Sequence, residues 1–434
     1  IKQTASDNST GNTLQSSVSL SMVGSKYGLV FNQENDVINK RLTQERKSYA
    51  KIAKRLIPKM EDINEKDENG NTILHLACST GNISLVKKII MNENIQIEMK
   101  NKEDQSILFP ACSSENIELV KYLIGFSKLE ASCKDKSKKT LLHHACQIGN
   151  LDLVEYLVSL DKIDITSKDK NGNNVLHYAS QSGNLPLVEY LIKLNKIDVS
   201  EKNDQKTSVL HFGCQSGNVE LVKYLLSLKR FNIKAKNTEK KTCLHFACEK
   251  DSLSLVDYLV RLKEIDITAK DQRDQTILQY ACKFKTSKVA KYLIGLGKFN
   301  LLAKNHYKNT LLHIASENGN FELVKYLIEL HQIDITSKND SNETILHEAC
   351  ESGNLDLVKY LIDLNQFDIK SKTSFMETLL HLATESKNFE LVKYLIELNK
   401  IDVRAIDSRR NTLLHIACSN DNIDLVKYLV KLDE

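Results

Sequence analysis

Nine of the twelve histidines in this 434-residue chain fall in one register. His75, His143, His177, His211, His245, His313, His347, His381 and His415 are spaced by multiples of 34 residues, and Phe109 and Gln279 fill the remaining two places. Three residues behind runs a row of thiols: Cys78, Cys112, Cys146, Cys214, Cys248, Cys282, Cys350 and Cys418. Ser180, Ser316 and Thr384 occupy the same slot elsewhere. Imidazole is a common metal ligand and general base, and thiolate is a ligand and nucleophile. Metal binding and catalysis are therefore the first chemistries to test.

Spacing argues against both. Residues one period apart lie on neighbouring packed helices, about 8–10 Å apart. Zinc needs ligands at about 2.0–2.3 Å, and a disulfide needs Cα atoms within about 7 Å. The segment CLHFAC (243–248) offers two cysteines five apart, but these diverge by about 140° around a helix. The sequence has no phosphate-cradling glycine loop, no G-x-S-x-G turn, and no carboxylate pair distinct from the repeated pattern. Every acid or base has copies, whereas catalysis needs one odd constellation. We expect a chain that is not an enzyme and needs no metal or cofactor.

The elements that carry these rows are read from one unit. In TLLHIASENGNFELVKYLIEL (310–330), Thr310 has N-cap chemistry, and Leu311, Leu312 and Ala315 form an apolar face. Gly319-Asn320 breaks the helix, and a second helix buries Leu323, Val324, Leu327 and Ile328. A polar, extended segment with turn residues at its tip follows, HQIDITSKNDSNE (331–343). So short a pair cannot bury its apolar face alone and must stack on copies of itself. Eleven such units account for residues 61–434.

The succession Thr-x-Leu-His, Ala, Gly-Asn, Leu-Val-Lys-x-Leu and Asp-Ile/Val-x-x-Lys-Asp/Asn resembles the ankyrin repeat. That resemblance implies an all-α repeat solenoid of stacked helix–turn–helix units with β-hairpin-like loops. It also implies a histidine bonded to the cap threonine and neighbouring backbone. The chain departs from the family pattern in two ways. The proline after Thr is replaced by Leu, Ile, Val or Cys243, and the glycine before the hairpin gives way to LNKID-type loops one residue longer. The extra residue brings an apolar anchor: Ile163, Ile197, Phe231, Ile265, Phe299, Ile333, Phe367 or Ile401.

Outside the repeats, residues 1–35 are Ser/Thr/Asn-rich and expected to be disordered unless bound. Residues 36–60 read as a degenerate capping helix, with IAKRLI (52–57) echoing LVKYLI and Pro58 ending it. The chain starts on Ile1, and its last helix is as apolar as the internal ones, so further chain or a partner is expected beyond the ends. Sixty basic residues stand against 56 acidic ones, a net charge of +4, too small to argue for nucleic acid. No run of apolar residues is long enough to span a bilayer. Ten cysteines without a secretory leader point to a reducing, cytoplasmic compartment, with cytoskeletal association as a variant of that reading.

Function in a repeat protein is sought where the repeat varies. The family places hairpin tips and the end of the inner helix along a concave groove. Most tips are polar, but His306-Tyr307 and Phe375-Met376 put large groups there. Basic tips occur at Lys136, Lys138 and Lys139, at Lys240-Lys241 and at Arg409-Arg410. The seventh repeat carries Gln279 for His, Lys285-Thr286 for Gly-Asn, and Lys283-Phe284 expected on the groove side. Tyr122 to Tyr428 form a row on the outer helix, expected to pack between helices with the hydroxyls wet. A row from Lys66 to Lys372 is expected to line a solvated hairpin edge.

These residues lead us to expect a non-catalytic scaffold that binds one or more protein partners, acidic or filamentous in character, along the groove and tips. A structural cytoskeletal or axonemal (microtubule-associated) element is the first alternative. The regulatory half of a longer enzyme or channel is the second.

Overall fold

The computed structural model describes residues 62–160, 162–284 and 287–432. The expected tail and capping helix (residues 1–60) and Lys285-Thr286 lie outside the described residues. Among these, eleven helix pairs run from Ile73–Ser79 and Ile83–Ile90 to Leu413–Ser419 and Ile423–Leu432.

The eighth repeat shows how sequence becomes structure. Thr310 is extended, at φ −84° and ψ 176°, and its hydroxyl accepts the His313 N–H. His313 Nδ1 in turn accepts the Thr310 N–H at 3.4 Å, which leaves the proton on Nε2. That Nε2 donates to the Glu343 carbonyl at 3.1 Å, at the threshold of the next repeat. His143 reaches Asn173 and His381 reaches Asn411 in the same way. Both imidazole nitrogens are thus spent on structure. The histidine closes its own helix and ties it to the following unit.

The inner helix Leu311–Glu317 is enclosed, with Leu311 through Ser316 all buried. The outer helix Phe321–Glu329 buries the stripe Leu323, Val324 and Leu327, and Ile328 lies half-buried at its edge. Asn320 caps this helix through Oδ1. One period on, Asn354 Nδ2 donates to the Gly319 carbonyl at 2.8 Å, so the cap is also an inter-repeat tie. Gly319 adopts φ +62°, where a side chain would be strained. The apolar anchors of the longer loops pack against the core, Ile333 and Ile401 most deeply.

The tyrosine row packs partly buried against that core. Lysines of the preceding repeat cover several rings, as Lys121 does Tyr156 at 5.6 Å and Lys359 does Tyr394 at 5.3 Å.

The seventh repeat keeps its cap. Gln279 replaces the histidine, and its amide makes the same two kinds of bond. The second repeat is where the box is absent, because Phe109 is fully buried and offers no polar atom.

Candidate protein-binding surface

Each hairpin tip is a tight turn organised by one side chain. Asn305 Oδ1 accepts the N–H groups of Tyr307 and Asn309, and Asp407 Oδ1 does the same for Arg409 and Asn411. The turn needs a left-handed residue. Lys138, Lys240, Lys308, Asn342, Met376 and Arg410 supply it, with φ between +59° and +66°.

Successive tips are then tied by backbone bonds. The His306 N–H donates to the Arg273 carbonyl at 2.9 Å, Asp340 to Tyr307 at 3.0 Å, Ser374 to Ser341 at 2.8 Å, and Ser408 to Phe375 at 2.8 Å. The tips form one hydrogen-bonded row, and whatever projects from them is held in fixed register.

Several expected site residues project from this row. Phe375 is 53 % exposed, Met376 50 % and Tyr307 47 %. His306 is exposed too, its ring edge-on to Tyr307 with centroids 5.5 Å apart. Lys136, Lys138, Lys240, Arg409 and Arg410 are exposed. Lys139 and Lys241 instead turn back onto the groove. Lys139 lies 4.7 Å from the Tyr178 ring centroid, and Lys241 bonds Glu239 and Glu249 at 3.0 and 3.2 Å. The row brings Tyr307 and Phe375 within two tips of each other and sets Arg409-Arg410 beside Phe375. The Lys240 tip lies two tips from Tyr307 and four from Phe375, and the Lys136 tip lies farther still.

One expectation is overturned. Phe284 is only 4 % exposed and cannot serve as a surface anchor. The inner helix of the seventh repeat stops at Ala281, so the chain turns early and carries Phe284 into the stack. Its carbonyl accepts Asn320 Nδ2 at 2.6 Å, the role glycine carbonyls play elsewhere. Lys283 remains on the groove, its ammonium on Gln275 Oε1 at 3.0 Å and 4.5 Å from the Tyr280 ring centroid. Burial lowers its pKa, and Lys241 adds like-charge repulsion.

The groove changes sign along its length, further than the inner-helix glutamates alone suggest. Three neighbouring slots hold Lys241, Phe246 and Glu249 in the sixth repeat, and Glu343, Glu348 and Glu351 in the ninth. Glu348 is 4 % exposed, and Asn339 Nδ2 donates to it at 3.2 Å. Burial, then Glu317, Glu343 and Glu351, hold its carboxyl well above the usual range. Glu351 is pushed up to about 7 by desolvation and then by Glu343 and Glu317.

Sequence reasoning also missed Ile406. It stands where the row Lys66 to Lys372 would place its next lysine, and it is 48 % exposed. The broken row was the available signal.

The described cysteines are free thiols. Burial pushes Cys282 up to about 12, and Cys78, Cys146 and Cys350 further, which makes them poor nucleophiles. The described helices include none long and apolar enough to cross a membrane.

Stacked helix pairs closed by a Thr–His box, with a hydrogen-bonded row of tips, define a helical repeat solenoid. A family model described as ankyrin repeats (3 copies) matches the chain in overlapping windows, 44–131, 108–203, 194–271, 210–303, 262–339, 278–373 and 346–434. The chain belongs to the ankyrin-repeat family, whose repeats are generally protein–protein interaction modules. No curated protein matches it at a significant level.

Proposed function

We propose that this chain is a non-catalytic scaffold that holds a protein partner along its concave groove and hairpin tips, in the cytoplasm. The observation that carries the reading is the pair of apolar tips. Tyr307, Phe375 and Met376 stand in water on a row whose backbone is fixed by hydrogen bonds. Leaving such a side chain wet forgoes about 1.5–3 kcal/mol of burial, and exposed aromatics are typical interface anchors. The basic tips at Lys136, Lys138, Lys240, Arg409 and Arg410 would steer acidic partners toward the row.

The test is co-purification from native cells with the intact chain and with a Tyr307→Ser/Phe375→Ser variant. Thermal stability should be nearly unchanged, and capture of the partner weaker by at least about tenfold, or 1.4 kcal/mol. A double variant that loses stability and still captures its partner would make the pair packing residues.

A second reading rests on the lysine row. Lys66 Nζ donates to the Lys100 carbonyl at 2.7 Å, and Lys134, Lys236 and Lys304 are exposed along the hairpin edge. Regular positive charge would suit an element lying along an acidic filament. Co-sedimentation with microtubules that is abolished by Lys→Gln changes in this row, and unaffected by the tip variant, would favour it.

A further inference from the structure

Phe375 and Met376 on one hairpin and Ile406 on the next share one joint between repeats, although 30 residues separate the last two. The register follows from the preceding repeats. Lys338 Nζ donates to Asn342 Oδ1 at 3.0 Å, and Asn342 Nδ2 donates across to the Lys372 carbonyl at 2.7 Å. One period on, those positions are Lys372, Met376 and Ile406. By that register the position of Met376 lies beside that of Ile406 on the next hairpin, and the bond from Ser408 N–H to the Phe375 carbonyl fixes the same two hairpins together.

Each of these three residues breaks a polar pattern. Tyr307 apart, the slot of Phe375 is polar in other repeats, as at Ser341, Arg273 and Glu239; that of Met376 holds Asn342, Asp274 and Lys240, and that of Ile406 holds lysine. Met376 also adopts φ +63°, a conformation that disfavours any residue with a Cβ. All three side chains are about half exposed. Local preference and water both oppose this choice of residues.

Charge indicates what covers the patch. Arg409 and Arg410 are exposed on the tip that Ser408 joins to Phe375. The nearest carboxylate on that tip, Asp407, is turned inward, with Oδ1 on the Arg409 and Asn411 N–H groups and Oδ2 on Asn411 Nδ2 at 2.8 Å. An apolar spot thus borders a projecting pair of guanidinium groups, which favour carboxylates.

We propose that the joint between the tenth and eleventh repeats docks a short protein segment with an apolar anchor flanked on one side by Asp or Glu. The anchor covers Phe375, Met376 and Ile406, and the acidic flank lies over Arg409 and Arg410. This rests on the protein-binding reading above and adds the partner's chemistry and the place where it docks. An anionic membrane surface would share the charge preference. It is disfavoured because Asp274 and Asp340 interrupt the positive tips along the same row.

The test uses the intact chain as bait for a random peptide display library, with two variants in parallel. Phe375→Ser/Met376→Asn transplants the Ser341-Asn342 tip, and Ile406→Lys restores the lysine row, so the first variant combines all three and keeps the fold. The second is Arg409→Glu/Arg410→Glu. Selected peptides should carry an apolar residue beside acidic ones and bind the first variant at least tenfold more weakly. On the second variant they should also weaken tenfold, and peptides with the acidic flank changed to Lys should gain.

Peptides that bind all three proteins equally would overturn the docking site and leave the scaffold reading standing, since groove binding would remain. A library that yields no binder would overturn it too. So would equal loss with peptides of any charge, or tip-dependent pelleting with phosphatidylserine vesicles in the absence of any selected peptide. Concentration-dependent self-association that the first variant abolishes would assign the patch to a second copy of this chain and refute the proposal. The scaffold reading itself fails only if native co-purification returns no partner.

Discussion

Gln279 stands to Thr276 as the histidines stand to their cap residues. Its Oε1 accepts the Thr276 N–H at 2.9 Å, and the Thr276 hydroxyl accepts the Gln279 N–H at 3.3 Å. Its Nε2 then donates to two carbonyls across the repeat boundary, Ala303 and Asn309, at 3.1 Å each. A side-chain amide has the acceptor and donors that a neutral imidazole divides between its two nitrogens. Gln279→Ala would leave two buried carbonyls and the Thr276 N–H without this partner, at a cost of about 2–3 kcal/mol. Gln279→His should be tolerated within about 1 kcal/mol. Urea unfolding of the three proteins distinguishes these outcomes, and equal midpoints would show that the bonds contribute nothing net.

The weak point of the seventh repeat is its outer helix. Lys288–Gly295 is headed by Ser287 at φ +56° in place of an asparagine. Part of the capping comes from the previous repeat, where Asp251 Oδ1 accepts the Val289 N–H at 3.1 Å. Asp251→Ala should cost about 1 kcal/mol and speed hydrogen exchange in 288–295 while leaving 321–329 unchanged. Asp251→Asn retains the acceptor and should behave like the parent chain. Exchange accelerated equally by both, or unaltered by Ala, would refute the cross-repeat cap.

Among the described residues, two buried hydroxyls lack partners. Ser180 and Ser316 occupy the thiol slot with no side-chain exposure and no hydrogen bond to Oγ. Thr384, in the same slot, satisfies itself on the Leu380 carbonyl at 2.7 Å. An unpaired buried hydroxyl carries a desolvation penalty. Ser180→Cys and Ser316→Cys, which insert the residue of eight other repeats, should each stabilise by about 1 kcal/mol. The change in denaturation midpoint reads this directly, and a loss of similar size would contradict it.

Acid should act oppositely on the two halves of the solenoid. His143, His177, His211 and His245 are held down to about 4 by burial, offset in part at His143 and His211 by bonds to the Asn173 and Ala235 carbonyls. A folded pKa below the unfolded value of about 6.5 gives stability that is full above 6.5 and lost as pH falls toward 4. Each histidine accounts for on the order of 3 kcal/mol at that limit. Glu348, Glu343 and Glu351 are raised, so their contribution is full below the ordinary value of 4.5 and fades as pH rises through the folded value, which for Glu351 is about 7. Glu351 is exposed on the groove floor, so solvent screening reduces its part. His347, also held near 4, offsets some of the gain there. Between pH 7 and 5, hydrogen exchange should accelerate in 141–148, 175–182, 209–216 and 243–248 more than in 345–351. Glu348→Gln should stabilise the ninth repeat at pH 8 and make little difference at pH 4.5. Uniform acceleration along the chain would refute the division.

Much of what is set by contacts within one repeat was legible in the sequence, though not the Gln279 cap on Thr276 or the half-exposure of Ile328. Thr310 could be read as a cap, Gly319-Asn320 as a break, and Leu323, Val324 and Leu327 as a buried stripe. Hydrogen bonds three or four residues apart, and a 3.6-residue period, need no knowledge of what lies beyond the unit. The 34-residue period then required stacking, because a two-helix unit cannot cover its own apolar face.

Contacts between residues 24 to 38 positions apart were decided only by the stack. That Gln279 finds Ala303 and Asn309, that Asp251 caps its neighbour's helix, and that Phe284 turns inward all depend on how one repeat seats on the next. The same holds for Glu348, which is buried only because the inner helices enclose it, and for Ile406, whose position is brought beside the hairpin of Met376 only by the stack. A string of residues carries the pattern within each repeat. Which side chains meet across repeats, and which are left in water, is set by the geometry of close packing.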